Sequence, residues 1–192
     1  GIWHAPNMLL TWGYGYYDKS LARRSLLKNT LCAHAEHYGN IWYGIWSAPD
    51  AYNASNAKYP GQTYSHFTPM ADFPVMNTNA HANPLTAAIK LCGIEPTAKG
   101  FIIQPLLPDD VFVLDTPLMK IERKKRSLSC RYTAHKASVD VEFEVRDKVC
   151  GSEILILEIN GKPAKFNRTG ECSLVFKAKT DKNKKLDWEM KI

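Results

Sequence analysis

"AAIKLCGIEPTAKGFIIQPLLPDDV", Ala87–Val111, is where the chain changes its period. Just upstream, Leu85, Ala88, Ile89 and Cys92 fall at i, i+3, i+4 and i+7. That spacing predicts a helix with one buried stripe, capped by Asn83, opened by Pro84 and ended by Gly93. From Gly100 onward the apolar residues alternate with period two, as in strands. The change falls at Thr97-Ala98-Lys99-Gly100. It divides the chain into a helical part, residues 1–98, and a strand part, residues 99–192.

Working downstream, "FIIQP", "DVFVLD", "PLMKIER", "SLSCRYTA", "SVDVEFEV", "EILILEI", "KPAKF", "CSLVFKA" and "KLDWEMKI" each read as a short strand. In "SVDVEFEV", Val139, Val141, Phe143 and Val145 share one face, and Asp140, Glu142 and Glu144 the other. This is the pattern of a half-solvated antiparallel strand. Asn160-Gly161 signals a two-residue hairpin of type I′, and Lys124 to Arg126 turns another. Many short strands with polar turns imply an antiparallel β-sandwich.

Working upstream, Asp18 is a candidate N-cap for a helix from about Lys19 to Tyr38, with Gly39 beyond its end. "APNMLLTWGYGYY" reads as a shorter helix broken by Gly13 and Gly15. So few helices leave wide apolar faces in need of cover. The chain opens on "GIWHAPNMLL", inside an apolar pattern and without Met. The expectation is therefore the C-terminal piece of a longer protein, with the upstream part covering those faces.

Hydrophobic residues make up 45% of the 192 positions, which excludes wholesale disorder. The net charge of +6 concentrates in Lys124-Lys125-Arg126 and Lys182–Lys185. No aromatic residue interleaves those cations, so they read as solvated turns and not as a nucleic-acid footprint. The five cysteines, Cys32, Cys92, Cys130, Cys150 and Cys172, form no CxxC and are odd in number. A zinc site or disulfide framework is not indicated, and reduced thiols suit a cytoplasmic protein. No apolar run approaches the ~20 residues of a membrane span, and no cofactor motif is present. His34 and His37 share a helix face without an evident third ligand, so they read as structural, with no metal.

"NIWYGIWSAPDAYN", Asn40–Asn53, opens a long segment reaching His81 that is dense in aromatic, amide and hydroxyl groups. Long loops in compact domains are uncommon unless functional. Trp42, Tyr43, Trp46 and Tyr52 offer flat faces to the C–H surface of a sugar. His66, Asn79 and His81 offer hydrogen bonds to hydroxyls. Asp50, with Asp72 in reserve, is the carboxylate that could orient a water. Taken one by one, these aromatics read as core wedges and Asp50 as a turn cap; taken together, the stretch reads as a binding surface.

The stretch Ala87–Val111 resembles the end of the catalytic domain in the cellobiose and chitobiose phosphorylase family. The matching residues are Gly93, Ile94, Pro96, Thr97, Gly100, Pro105, Leu107 and Pro108, and Ala48-Pro49-Asp50 is similar to that family's "AGPD" segment. The resemblance covers Tyr38–Val111 well and the later strands in outline. It implies an α+β chain: the last helices of a partial (α/α)6 six-hairpin barrel, followed by a C-terminal antiparallel β-sandwich. It also implies that Trp42–Asp50 and Tyr64–His81 line a sugar pocket.

Two departures matter. The Thr-Gly pair that helps hold phosphate in those phosphorylases is missing from "NTNAHANP", Asn77–Pro84. Gly44 stands where related inverting hydrolases carry a Glu. An inverting hydrolase needs two carboxyl groups about 6.5–9.5 Å apart. By the resemblance, the general acid lies upstream of this chain.

The expectation is thus the C-terminal portion of a carbohydrate-active enzyme that cleaves glycosidic bonds in oligosaccharides, by hydrolysis in preference to phosphorolysis. The fragment alone would be inactive. Its partners would be an oligosaccharide substrate and the missing N-terminal part of the same enzyme, with no nucleic acid and no membrane. A homo-oligomer is compatible with the sequence. The alternative is a non-catalytic carbohydrate-binding module or structural accessory domain.

Overall fold

The computed structural model describes residues 2–37, 51–60, 81–108, 112–134 and 139–192. The chain is α+β and divides into two compact units, Gly1–Leu91 and Cys92–Ile192.

The first unit begins with strand β1 (Ile2–Trp3) and helix α1 (His4–Tyr17), followed by α2 (Lys19–Lys28) and α3 (Leu31–His37). Strand β2 (Ala51–Tyr52) and helix α4 (Asn83–Leu91) complete its described elements. Helix α1 lies against α2 and α4. It buries His4, Met8, Thr11 and Gly15, a stripe at helical spacing. Within that stripe, the Thr11 hydroxyl donates to the Asn7 carbonyl (2.7 Å) and meets the Ser25 hydroxyl at 2.5 Å. The Lys90 ammonium sits 5.0 Å from the Trp12 ring centre, a cation–π contact between α4 and α1.

Three sequence expectations change here. Helix α1 runs unbroken through Gly13 and Gly15. Gly15 is buried, and a glycine inside a packed helix costs only about 1 kcal/mol. The single helix expected from Lys19 to Tyr38 is two. Asp18 does cap the first, accepting from the Ser20 and Leu21 amides. The Asn29 side chain then donates to the Ser25 carbonyl, and the Thr30 hydroxyl accepts from the Ala33 amide to start α3. Side chains that bond their own backbone in this way end helices. In α4 the buried residues are Ala87 and Leu91, whereas Leu85, expected in the stripe, is 58% exposed. The helix is turned away from the predicted face.

The second unit holds two sheets, whose strands are β3 (Ile94–Pro96), β4 (Gly100–Ile103), β5 (Phe112–Asp115), β6 (Met119–Lys124), β7 (Ser127–Thr133), β8 (Val139–Arg146), β9 (Ile156–Ile159), β10 (Lys162–Pro163), β11 (Asn167–Gly170), β12 (Ser173–Thr180) and β13 (Lys185–Lys191). One sheet has the order β10-β9-β13-β7-β6-β5, and the other β11-β12-β8-β4-β3. Among the described strands every pair is antiparallel except β4 with β8. Strands β3 and β11 escaped the sequence reading, because both are short and carry polar or proline residues. The two predicted hairpins form. Asn160 and Gly161 both adopt positive φ (51° and 73°), as a type I′ turn requires, and Lys124 pairs with Ser127 around the other turn.

The sheets meet face to face through an aromatic cluster. Phe143 and Phe176 of the five-stranded sheet lie 5.7 and 5.4 Å from Trp188 of the six-stranded one. At one end of this core, Arg123 on β6 forms a bidentate pair with Asp147, which follows β8. Both bonds are 3.1 Å, and the side chains are 1% and 2% exposed. Asp147 also accepts from the Val149 amide at 2.8 Å, which starts a 3-10 turn over Lys148–Gly151.

The entry to the sandwich is sterically constrained. Gly93 has φ +91°, and a Cβ there would fall 2.2–2.4 Å from main-chain atoms of Gln104 and Pro105. At Gly100 a Cβ would come within 2.0 Å of the Glu142 carbonyl oxygen. Between them, Thr97 closes the β3–β4 turn. Its amide donates to the Gly100 carbonyl (2.8 Å), and its hydroxyl accepts from the Gly100 amide (3.0 Å).

Urea denaturation tests both features. Asp147→Leu removes the carboxylate from a buried guanidinium and should cost about 3–5 kcal/mol, whereas the Arg123→Leu/Asp147→Leu double variant should recover most of that loss. Gly93→Ala, which combines a positive φ with backbone overlap, should destabilise the sandwich by at least about 3 kcal/mol.

Candidate functional site

Most of the residues predicted from sequence to form a sugar site fall outside the described residues. These are Trp42, Tyr43, Trp46, Asp50, His66, Asp72 and Asn79. Two fall within them. Tyr52 lies in β2, where Ile2 pairs with Tyr52 and Trp3 with Ala51. This antiparallel pair fixes the chain just beyond Asp50 beside the start of α1. His81 is half-buried and stands two residues before α4.

The same corner holds a residue the sequence reading passed over. His4, the first residue of α1, is fully buried. Its ring meets that of His34 edge to face, with centroids 4.4 Å apart. His34 is buried on α3 and His37 is exposed, so the two histidines read as sharing a face divide between interior and surface. The only signal for His4 was its place next to Trp3 in an apolar run. Burial holds the His34 ring below its ordinary value of 6.5, and the charge of His37 adds to the effect. Among the described residues no cluster of three or more His, Cys, Asp or Glu could hold a metal.

Carboxylates are scarce here. Of the described acids in the first unit, Asp18 is committed to capping α2. Glu36 accepts a hydrogen bond from the Cys32 thiol and raises its pKa. The described part of this unit therefore presents no carboxylate pair for acid–base chemistry. Nor do the buried thiols supply a nucleophile by ready ionisation. Burial pushes Cys92 and Cys150 up to about 11, and Cys130 higher still. All five cysteines are free, and Cys32 and Cys172 are exposed.

In the second unit, the outer face of the six-stranded sheet bounds a cavity of about 430 Å³. Its walls are charged, and their charges are paired with one another or with residues just beyond the lining. Lys120 pairs with Asp115 (3.0 Å), Lys124 with Glu122 (2.9 Å), Arg131 with Asp187 (2.6 Å) and Lys191 with Glu158 (3.1 Å). Such exposed pairs add little stability, and they already partner the charged groups that line this cavity. No described helix is long and apolar enough to cross a membrane.

No protein-family model matches the chain, and no curated protein matches it. Solved structures similar to it include a GH127 beta-L-arabinofuranosidase from Geobacillus stearothermophilus T6, at 9% identity over 62% of this chain and 19% of that one, with TM-score 0.37. A glycoside hydrolase is similar at 11% identity over 96% of this chain and 31% of its own, with TM-score 0.41. A GH127 beta-arabinofuranosidase is similar at 12% identity over 72% and 23%, with TM-score 0.32. The chain thus spans less than a third of the length of each of these structures. At these scores the likeness carries no argument about activity. These three are hydrolase structures and not cellobiose or chitobiose phosphorylases.

The histidine pair has a measurable consequence. The unfolded chain takes up a proton at His34 near its ordinary pKa of 6.5, while the folded protein resists doing so. Stability contributed by the neutral ring is therefore present above pH 6.5 and is lost as pH falls through the folded value. Thermal unfolding followed by far-UV circular dichroism should show a lower midpoint at pH 5 than at pH 7, and His34→Leu should flatten that dependence.

Proposed function

We propose that the chain is the C-terminal portion of a carbohydrate-active enzyme that cleaves glycosidic bonds in oligosaccharides. It would comprise the last helices of an (α/α)6 barrel and a β-sandwich that follows them. The observation that carries this reading is the junction. Gly93 and Gly100, two of the residues that carry the resemblance, stand where a side chain would overlap backbone. Thr97, a third, closes the turn between them. These residues are thus required by local geometry, which supports a shared junction over a chance match.

In this reading Trp42, Tyr43, Trp46 and Tyr52 wall the sugar, and His66, Asn79 and His81 bond its hydroxyls. Asp50, or Asp72, orients the attacking water. Hydrolysis is favoured over phosphorolysis because Asn77–Pro84 lacks the Thr-Gly pair. The general acid is supplied by sequence outside this chain.

Calorimetric titration of the chain with gluco-, xylo-, chito- and arabino-oligosaccharides tests the proposal, with release of reducing sugar followed in parallel. Binding of at least one series without turnover is expected. Trp46→Ala should weaken it about tenfold, the scale of one lost aromatic contact. Absence of binding across the panel would sink the reading. Turnover by the chain alone would overturn the assignment of the acid to another segment.

A further inference from the structure

We propose that Cys150 and Cys172 are a redox-sensitive pair, which a low-molecular-weight disulfide such as glutathione disulfide converts into one intramolecular bond. That bond fastens the β11–β12 hairpin to the 3-10 turn that follows β8. Both residues belong to the second unit, so the pair stands or falls independently of the sugar-binding reading.

The backbone brings the two cysteines together. Asp147 donates its amide to the Cys172 carbonyl (3.0 Å), and its own carbonyl accepts from the Cys150 amide (2.9 Å). One residue thus ties both segments. Strand β12 pairs with β8 in the register Ser173↔Arg146 and Leu174↔Val145. One further step along that ladder sets Cys172 opposite Asp147, and side-chain alternation puts it on the same side as the buried Leu174. The Cys150 Sγ lies 3.7 Å from the carbonyl of Val145, the partner of Leu174. The Cys172 sulfur packs over Gly151, the residue after Cys150, 3.5 Å from where a Cβ would stand. Arg168 of β11 joins the hairpin to the same turn by donating to the Cys150 and Ser152 carbonyls.

The two thiols differ in access, which sets the order of events. Cys172 is exposed and Cys150 is buried. The Cys172 thiolate attacks glutathione disulfide, whose S–S bond breaks and releases one glutathione thiolate. The Cys150 thiolate then attacks the Cys172 sulfur of the mixed disulfide, and the second glutathione thiolate leaves. Two electrons pass from the protein thiols to glutathione disulfide, and the two thiol protons end on the two glutathione molecules formed. A thiol is a weak hydrogen-bond donor, so turning Cys150 away from the Val145 carbonyl gives up little. Burial pushes the Cys150 thiol up to about 11, and the Arg168 charge acts in the opposite direction. Closure by Cys150 is therefore the slower of the two steps.

The test is oxidation of the folded full chain with millimolar glutathione disulfide at about pH 8, followed by alkylation in denaturant, intact mass and peptide mapping. Two of the five thiols should become unreactive. The unalkylated chain should lose the mass of two hydrogens, and digestion should yield a linked peptide joining Cys150 to Cys172. Dithiothreitol should restore all five thiols. The linked chain should unfold about 5–10 °C higher than the reduced one, the scale of a bond closing a loop of this length. Cys172→Ser, a change at an exposed position, should abolish the link, and Cys32→Ser should leave it intact. Retention of all five thiols would overturn the inference, as would a reaction that stops at a glutathione adduct on Cys172. A bridge that joins other cysteines, or two chains, would overturn it as well. An unchanged or lower unfolding midpoint in the linked chain would refute the fastening of the hairpin.

Discussion

Between Gly93 and Gly100 the main chain runs so close to itself that two positions have no room for a side chain. At Gly93 the obstruction is the backbone of Gln104 and Pro105, and the local φ is positive as well. At Gly100 it is the carbonyl of Glu142. The two contacts set the register of β3 on β4 and of β4 on β8, and β8 is the strand on which the five-stranded sheet is organised. The β4–β8 pair is also the one parallel pairing among the described strands, so the order of that sheet follows from where the chain makes this close turn. A steric exclusion of this kind is unforgiving: a clash against backbone cannot be relieved by a rotamer change.

The core that grows from this entry has two components with different roles. Phe143, Phe176 and Trp188 supply the apolar area that holds the sheets together. Arg123 and Asp147 supply geometry. A buried ion pair adds little net stability over an apolar replacement, but its directional bonds tolerate few arrangements. Asp147 bonds Arg123 and the Val149 amide together, so one carboxylate ties β6 to the turn that carries the chain away from β8. The Trp188 indole N–H lies in the same core without a partner among the described residues, a polar cost accepted for the size of the ring.

Periodicity was a good guide to the strands and a poorer one to helix faces. Along β8 the alternation of Val141, Phe143 and Val145 with acidic residues matches the burial observed, because one face of a sheet is either covered or wet, whereas Val139 at the start of the strand, expected on the same face, is 45% exposed. The helices of the first unit obey a weaker rule. Leu85 and Leu27 sit on the surface, while Ala22, Ala87, His4 and His34 are buried. Small residues permit close helix packing, and hydropathy does not register that. The break at Asn29-Thr30 depends on side chains that bond their own backbone, which a scan for apolar spacing overlooks. Of the predicted sugar-site residues, the described part of the chain reaches only Tyr52 and His81. The β1–β2 pairing that anchors Tyr52 was invisible, since two-residue strands leave no periodic trace. His4 illustrates the same limit: a single histidine in an apolar run looks the same whether it is a packing element or a surface group.

The reciprocal arrangement of cations and carboxylates on the outer face of the six-stranded sheet bears on how other molecules meet this protein. The positive surplus of the chain is not spread over that face, since Lys120, Lys124, Arg131 and Lys191 each sit beside an acid. Opposed charges so close together cancel in the far field, and at physiological ionic strength potentials decay over about 8 Å in any case. To an approaching polyanion the face is electrically quiet. Diffusional encounter there proceeds without the long-range guidance that a basic protein would otherwise provide.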